Sequence, residues 1–182
     1  MLTMQHLRRN TVKAMLDLRG GPPALSGGDL YEFGVYTGGG LRAWVEALKT
    51  YQSRLHLRHV WGFDSFQGMP DSIEPKGLHY NRAWRAGGLN AAEQLGIFDF
   101  PTLSKYIVDK VRFGRTTLVQ GFFNESLPLV ISNGQSKKMR PALILDIDCD
   151  IHASTIEAIT FMHSQGLLVR GSVVYYDDWN SP

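Results

Sequence analysis

Acidic side chains follow two apolar runs near the end of the sequence. Residues 146–150 read Asp-Ile-Asp-Cys-Asp, and residues 175–178 read Tyr-Tyr-Asp-Asp. If both runs are parallel strands, their carboxyl ends meet at the edge where open α/β sheets bind ligands. Carboxylates held close together repel, and the common remedies are a shared proton or a hard cation such as Mg²⁺. We therefore predict a metal site formed by Asp148, Asp177 and Asp178, with Asp148 best placed.

A second candidate site is the glycine-rich segment at residues 32–40, Glu-Phe-Gly-Val-Tyr-Thr-Gly-Gly-Gly. It lies between an apolar run and a segment with helical periodicity, which is the strand, turn and helix context of a nucleotide-binding turn. Glycines allow unusual backbone dihedrals, and the helix N-terminus offers N–H groups to a carboxylate or phosphate. The glycine spacing differs from G-x-G-x-x-G, so a dinucleotide-dependent dehydrogenase is disfavoured.

Asp64 ends another apolar run, in the segment Gly-Phe-Asp-Ser. An acid at the carboxyl end of a strand can accept hydrogen bonds from both ribose hydroxyls of a bound nucleoside. The alternative is an aspartate that only caps the next turn. The nearby glycine turn favours the ribose role.

The apolar runs and the segments between them predict the fold. Five short runs have the composition of buried parallel strands, at residues 30–36, 59–65, 116–121, 142–148 and 172–178. Helical patterns alternate with these runs, at residues 41–52, 101–113, 125–132 and 154–166. The alternation predicts one α/β domain with a doubly wound, mainly parallel, Rossmann-like sheet.

The sequence predicts three further features: an N-terminal helix, a long insertion and a helix cap. Residues 4–18 predict an amphipathic helix that flanks the core, with Leu7, Val12, Met15 and Leu18 at helical spacing. A long insertion at about residues 67–100 is expected to be either a substrate-facing lid or an ordered structural insertion. Asp150 or Ser154 is expected to cap the helix that follows the acidic run.

Composition excludes several functional classes. The 182-residue chain has a formal net charge of +2, with 17 acidic residues interspersed among 19 basic ones, so no basic stripe indicates nucleic acid binding. Its one cysteine, Cys149, excludes an internal disulfide, fits a reducing compartment and is expected to have only a packing role. Neither a signal-peptide core nor an apolar run long enough to span a bilayer is present. We expect a soluble, cytoplasmic protein with no membrane partner.

Five ordered sequence blocks together resemble the macrocin O-methyltransferase family, Mg²⁺-dependent enzymes that methylate sugar hydroxyls. The blocks are Tyr-Glu-Phe-Gly-Val-Tyr-Thr-Gly-Gly-Gly at 31–40, Gly-Phe-Asp-Ser-Phe-Gln-Gly-Met-Pro at 62–70, Gly-Phe-Phe-Asn-Glu-Ser-Leu-Pro at 121–128, Asp-Cys-Asp-Ile-His-Ala-Ser-Thr at 148–155 and Tyr-Asp-Asp-Trp at 176–179. The resemblance implies a class I methyltransferase sheet of strand order 3-2-1-4-5, with S-adenosylmethionine and Mg²⁺ as cofactors. Mg²⁺ would lie among Asp148, Asp177 and Asp178. The residues expected around S-adenosylmethionine are Glu32, Gly34, Tyr36, Thr37, Gly38, Gly40, Asp64, Ser65 and Gly121.

The sequence also departs from the family pattern. Gly40 stands where the family usually has Ser, His152 where it has Tyr, and Ala153 where it has Glu. The family continues beyond the last block with a helix and an antiparallel strand pair, whereas this sequence ends at Pro182. We expect that strand pair to be missing. The open sheet edge would then belong to a fragment, be covered by a second subunit, or mark a degenerate site.

The expected reaction is methyl transfer from S-adenosylmethionine to a hydroxyl of a sugar, polyol or catechol-like acceptor. Mg²⁺ would be chelated by two acceptor oxygens, and Asp148 or His152 would remove the hydroxyl proton. Two alternatives stay open at this point. One is a metal-dependent glycosyltransferase that uses the Asp-Cys-Asp segment, and the other is a non-catalytic, degenerate methyltransferase fold that serves as a binding module.

Overall fold

A single five-stranded sheet organises the computed structural model, which describes residues 4–18, 27–70, 86–149 and 151–177. Its strands are β1 (Gly27–Phe33), β2 (His56–Asp64), β3 (Thr116–Gln120), β4 (Ala142–Ile147) and β5 (Val173–Tyr176). All neighbouring strands run parallel, in the spatial order β3-β2-β1-β4-β5. The predicted doubly wound sheet and its strand order 3-2-1-4-5 are confirmed.

Burial across the sheet explains why its strands are so apolar. The central strands β1 and β4 are buried along almost their whole length, as expected where helices cover both faces of a parallel sheet. The edge strand β5 is half-buried or exposed at each of its four residues. Acidic residues interrupt this apolar interior at Asp29, Glu32 and Asp146, all of which are buried.

Helices cover the two faces unequally. They are α1 (Met4–Leu18), α2 (Gly39–Thr50), α3 (Ala91–Leu95), α4 (Phe100–Val111), α5 (Phe123–Ser132) and α6 (His152–Ser164). Side chains of α1, α2 and α4 form one apolar cluster with the sheet. Side chains of α5 and α6 form a second cluster on the other face.

Aromatic rings fill the second cluster. The Phe33 and Phe63 rings stack with centroids 4.6 Å apart, and Phe123 of α5 meets Phe33 edge-on at 5.3 Å. Phe161 of α6 lies 6.4 Å from Phe33. Because these rings come from β1, β2, α5 and α6, their packing fixes the strands whose ends carry the candidate site.

The N-terminal helix has the predicted bounds and buries part of the predicted face. Val12, Met15 and Leu16 are buried, whereas Leu7 is 41% exposed. The inward-facing stripe is therefore rotated from the predicted one, and it continues to Arg8, which is 1% exposed. The spacing i, i+4, i+7, i+8 of Arg8 and these three residues is that of one helix face.

The predicted insertion at about residues 67–100 is described only in part. The short helix α3 lies within the predicted insertion, where Asn90 accepts a hydrogen bond from the Glu93 N–H. The Asn-x-x-Glu pattern of a capped helix was the signal for it. Residues 71–85, the middle of the insertion, lie outside the described residues.

The described part of the chain holds no strand beyond β5. None of its helices has the length and apolar character needed to cross a membrane.

We predict that Phe63→Ala lowers the free energy of unfolding by about 3–5 kcal/mol, because it removes the stack on Phe33 and leaves a cavity between the sheet and α6. Urea unfolding followed by circular dichroism measures the change. Leu129→Ala on α5 is the control, since Leu129 is 62% exposed and its loss should change stability by less than about 0.5 kcal/mol. Equal effects of the two substitutions would contradict this account of the core.

Candidate active site

A cleft of about 260 Å³ opens at the carboxyl edge of the sheet. It is reached between the ends of β1 and β4, where the chain order reverses and where α/β sheets of this kind bind ligands. Its lining residues are Gly34, Tyr36, Asp64, Ser65, Gly68, Met69, Pro70, Leu89, Phe122, Phe123, Asp148, Cys149, Ile151 and Ser154. Polar groups therefore lie at the strand ends, and apolar side chains form much of the remaining wall.

Five predicted site residues line this cleft, and seven other described ones lie outside its lining. Gly34, Tyr36, Asp64, Ser65 and Asp148 are on its wall. Those outside the lining are Glu32, Thr37, Gly38, Gly40, Gly121, His152 and Asp177. Phe122 and Phe123, which follow Gly121, do line the cleft but were not predicted. The apolar character of Gly-Phe-Phe directly after a strand was the signal for them.

Gly34 brings the end of β1 against the end of β4. Its φ angle is 95°, and an added Cβ would lie 1.8 Å from the Asp148 carbonyl oxygen. The Asp148 N–H also donates to the Phe33 carbonyl at 2.9 Å. Only a residue without a side chain fits this approach in this backbone conformation, so Gly34 sets how close Asp148 lies to the turn.

The Asp64 carboxylate holds the glycine turn. Oδ2 accepts from the N–H groups of Val35 at 2.7 Å and Tyr36 at 2.8 Å, and Oδ1 accepts from Phe66 at 2.6 Å. Burial raises the pKa of Asp64, while these three N–H donors oppose the rise. Asp64 therefore has the capping role, and a ribose contact of the same carboxylate, which lines the cleft, stays a prediction.

Ser65, the next residue, shapes the start of the following loop. Its hydroxyl donates to the Gly68 carbonyl at 2.7 Å and accepts from the Gln67 N–H at 3.1 Å. The loop beneath the cleft is thus held by its own side chain.

Glu32 lies beneath the turn rather than on the cleft wall. Its carboxyl accepts from the Leu41 N–H, in the first turn of α2, which the preceding Gly38 cannot cap because it has no side chain. An added Cβ on Gly40 would lie 2.8 Å from both carboxyl oxygens, so this glycine makes room for Glu32. Burial, followed by the nearby charges of Asp146 and Asp148, raises the pKa of Glu32 well above its ordinary value.

Helix α4 holds the other side of the turn. Lys110 donates through Nζ to the Thr37 carbonyl at 2.7 Å. An added Cβ on Gly38, whose φ angle is 79°, would lie 2.7 Å from Ile107 Cγ2. Thr37 and Gly38 thus contact α4, and the sequence carried no local signal for this long-range contact.

Register places two of the three predicted metal ligands side by side. Ile147 pairs with Tyr176, so the next residues, Asp148 and Asp177, lie at adjacent strand ends, and the Asp177 N–H donates to the Ile147 carbonyl at 3.2 Å. Asp178 lies outside the described residues. Among the residues that are described, no group of three or more His, Cys, Asp or Glu side chains is arranged to hold a metal ion.

Helix α6 begins earlier than predicted. Its first residue is His152, whose side chain is exposed, and the residue before it, Ile151, makes no side-chain cap. The prediction that Ser154 caps this helix is wrong, because Ser154 is already in its first turn. The other candidate cap, Asp150, lies outside the described residues.

A buried arginine supplies positive charge that sequence reasoning missed. The two terminal nitrogens of Arg8 donate to Asp146 Oδ2 and to Asp177 Oδ1, each at 3.1 Å. The Arg8 guanidinium carbon lies 4.2 Å from the Tyr175 ring centroid and 5.0 Å from that of Trp44. The Arg8 guanidinium is thus a third way to reduce the repulsion between the clustered carboxylates, beside a shared proton and a metal cation.

Asp146 is held on the same side by Trp44, whose indole N–H donates to Oδ2. Burial raises the pKa of Asp146 to about 6, although the charge of Arg8 and the Trp44 hydrogen bond act in the opposite direction. Its side chain points towards α1 and α2, so Asp146 is separated from the cleft that Asp148 lines.

The family can now be assigned. The profile of the macrocin-O-methyltransferase (TylF) family matches residues 24–181. The chain belongs to this family. No curated protein gives a significant match.

Solved structures with the same fold are named as methyltransferases. The calicheamicin methyltransferase CalS11 matches with a TM-score of 0.62 and 20% identity, over 94% of this chain and 64% of its own. The O-methyltransferase NovP matches with a TM-score of 0.58 and 22% identity, over 96% of this chain and 65% of its own. An apo structure of CalS11, described as a TDP-rhamnose 3'-O-methyltransferase, matches with a TM-score of 0.53 and 20% identity, over 96% and 64%. The chain thus spans slightly less than two thirds of these proteins.

We predict that Gly34→Ala lowers the free energy of unfolding by at least about 2 kcal/mol, because a side chain there is strained at positive φ and collides with the Asp148 carbonyl. Urea unfolding measures it. The matched control is Gly39→Ala in the same turn, where an added Cβ meets nothing within 4 Å and alanine favours the helix. A Gly34→Ala protein as stable as the control would refute the steric role of Gly34.

A pH dependence is expected for Glu32→Gln. Because the pKa of Glu32 is raised in the folded protein, wild type loses stability as pH rises above the unfolded value of about 4.3, until pH reaches the folded pKa. Glutamine does not ionise, so the stability of the variant relative to wild type should increase between pH 4 and pH 8, by at most about 1.4 kcal/mol per pH unit. Urea unfolding across that range tests this, with the exposed Glu93→Gln as control. A difference that shrinks with rising pH would contradict it.

Proposed function

We propose that this protein transfers the methyl group of S-adenosylmethionine to a hydroxyl oxygen of a sugar or small polyol, with assistance from Mg²⁺. The observation that carries the proposal is the cleft at the β1 and β4 ends, bounded by the glycine turn and Asp64, in a member of an O-methyltransferase family. The shared fold of CalS11 and NovP, both methyltransferases, supports the same reaction class. Family membership favours it over the glycosyltransferase alternative.

The cleft has suitable chemistry for S-adenosylmethionine. Its apolar wall, which includes Met69, Phe122 and Phe123, would contact the adenine ring. The strand-end groups of the turn and of Asp64 would hold the polar remainder of the cofactor. Because Asp64 and Lys110 already fix the backbone of the turn, little ordering of this segment would accompany binding.

The chemical type of Asp148 and Asp177 and the register of their strands support a hard cation at this edge of the sheet. Both residues offer carboxylate oxygens at adjacent strand ends, which are the donors that Mg²⁺ prefers. Arg8 occupies one oxygen of Asp177, but a carboxylate has about four lone-pair sites, so this contact leaves room for a cation. Asp178, the third proposed ligand, follows directly in the sequence.

Bound Mg²⁺ would lower the pKa of an acceptor hydroxyl and orient it. Of the two proposed proton acceptors, Asp148 lines the cleft, whereas His152 is exposed at the start of α6. We therefore favour Asp148 as the group that takes the hydroxyl proton, and its carbonyl contact with Gly34 fixes its backbone for that role.

The decisive experiment is calorimetric titration with S-adenosylhomocysteine, followed by transfer of a labelled methyl group to a panel of free and nucleotide-linked sugars. Wild type should bind S-adenosylhomocysteine, and Asp64→Asn should bind it at least about tenfold more weakly, because the turn loses a charged acceptor for three N–H groups. Asp109→Asn, at an exposed residue of α4, is the control. If wild type binds no S-adenosylhomocysteine with or without Mg²⁺, the proposed function is wrong.

A further inference from the structure

The Arg8 side chain joins three elements at the acidic end of the sheet. It extends from α1, pairs with Asp146 of β4 and also pairs with Asp177, the residue after β5. Residues 8 and 177 are 169 positions apart in the chain, so this contact is a product of the fold. We propose that Arg8 is a positioning residue for Asp177, which makes α1 a structural part of the magnesium site; this inference rests on the proposed function.

The surroundings of Arg8 fix its guanidinium in one place. The side chain is 1% exposed, lies within cation–π distance of Tyr175 and Trp44, and is fixed on one side by the buried Asp146 carboxylate. A guanidinium presents its N–H donors in a rigid planar fork. With one arm of the fork on Asp146, the position of the other arm is determined, and this second arm holds Asp177 Oδ1.

Asp177 needs such a contact because its own position provides little restraint. It follows the last residue of an edge strand, and its side chain is 38% exposed. A side chain at this place would otherwise sample several rotamers. An arginine that holds one oxygen restricts the direction in which the other oxygen faces, which is how outer contacts orient the carboxylate ligands of metal sites.

A competing effect has the opposite sign. A guanidinium near a divalent cation repels it, so if charge alone mattered, removal of Arg8 would strengthen metal binding. If orientation dominates, removal weakens it, and loss of an outer contact of this kind usually lowers metal affinity about 10- to 100-fold. A measurement of metal affinity, rather than of stability or activity, therefore distinguishes charge repulsion by Arg8 from orientation of Asp177 by Arg8.

The test is binding of Mn²⁺ alone, a spectroscopic substitute for Mg²⁺, measured from the paramagnetic resonance signal of the free ion. Arg8→Met should bind Mn²⁺ at least about tenfold more weakly than wild type. Arg9→Met is the matched control, since Arg9 is the next residue of α1 and its side chain is exposed. Affinity for S-adenosylhomocysteine should be unchanged in both variants, because Arg8 does not line the cleft.

Arg8→Lys provides the test if Arg8→Met does not fold. Lysine keeps the positive charge beside Asp146 but lacks the planar fork, so it should fold and still bind Mn²⁺ more weakly than wild type. In an Asp177→Asn background, replacing Arg8 should cause no further loss of Mn²⁺ affinity, since its effect acts through Asp177.

Three results would overturn the inference. They are wild-type or tighter Mn²⁺ binding by a folded Arg8 variant, an undiminished effect of Arg8 in the Asp177→Asn background, and no Mn²⁺ binding by wild type. The last result would also remove Mg²⁺ from the proposed function. Binding of S-adenosylhomocysteine and methyl transfer in the presence of a chelator would still report on the rest of that function.

Discussion

The burial of carboxyl groups at the centre of the sheet is the constraint on which much of this structure depends. Glu32 and Asp146 are register partners on β1 and β4, and both are almost completely buried. Buried carboxyl groups are unfavourable unless they are neutralised or given hydrogen-bond donors. Among the described residues, the donors to Glu32 and Asp146 lie on one face of the sheet: Arg8 of α1, and Trp44 and the Leu41 N–H of α2. Docking of α1 and α2 is thus tied to the chemistry of the strands beneath them.

The opposite face packs mainly through aromatic rings, and the buried Asp29 carboxylate on that side accepts from the Trp61 indole N–H at 2.9 Å and the Arg140 N–H at 3.0 Å. Phe33, Phe63 and Phe161 pack there with α5 and α6. The aromatic rings on the α5 and α6 face hold β1 and β2 in place. The face covered by α1 and α2 supplies charge to the strand ends. The cleft lies at the carboxyl edge of the sheet. Gly34 and Asp148, which both line it, are in backbone contact. A rigid edge of this kind is suited to hold a cofactor in one orientation.

Sequence reasoning succeeded where the signals were local. Strand-end acids and a glycine turn each occupy a few consecutive residues, so the convergence of Gly34, Asp64 and Asp148 on one cleft followed from the strand order. Arg8 was missed for the opposite reason. An arginine in an amphipathic helix is typical of the solvent face, and only a partner 138 residues away explains its burial. The contact of Lys110 with the turn is equally invisible to periodicity, because it joins residues 73 positions apart.

Gly40, which stands where the family usually has Ser, affects the surroundings of the Glu32 carboxyl group. Glu32 Oε2 has no hydrogen-bond partner among the described residues, and it lies beside the place where a Gly40 Cβ would be. The serine that usually stands there in the family would bring a hydroxyl donor next to that oxygen, after a small shift of the carboxyl group. Glycine gives Glu32 room but no donor. Burial and the charges of Asp146 and Asp148 raise the pKa of Glu32, and the glycine at position 40 supplies no side-chain hydrogen bond that would oppose this rise.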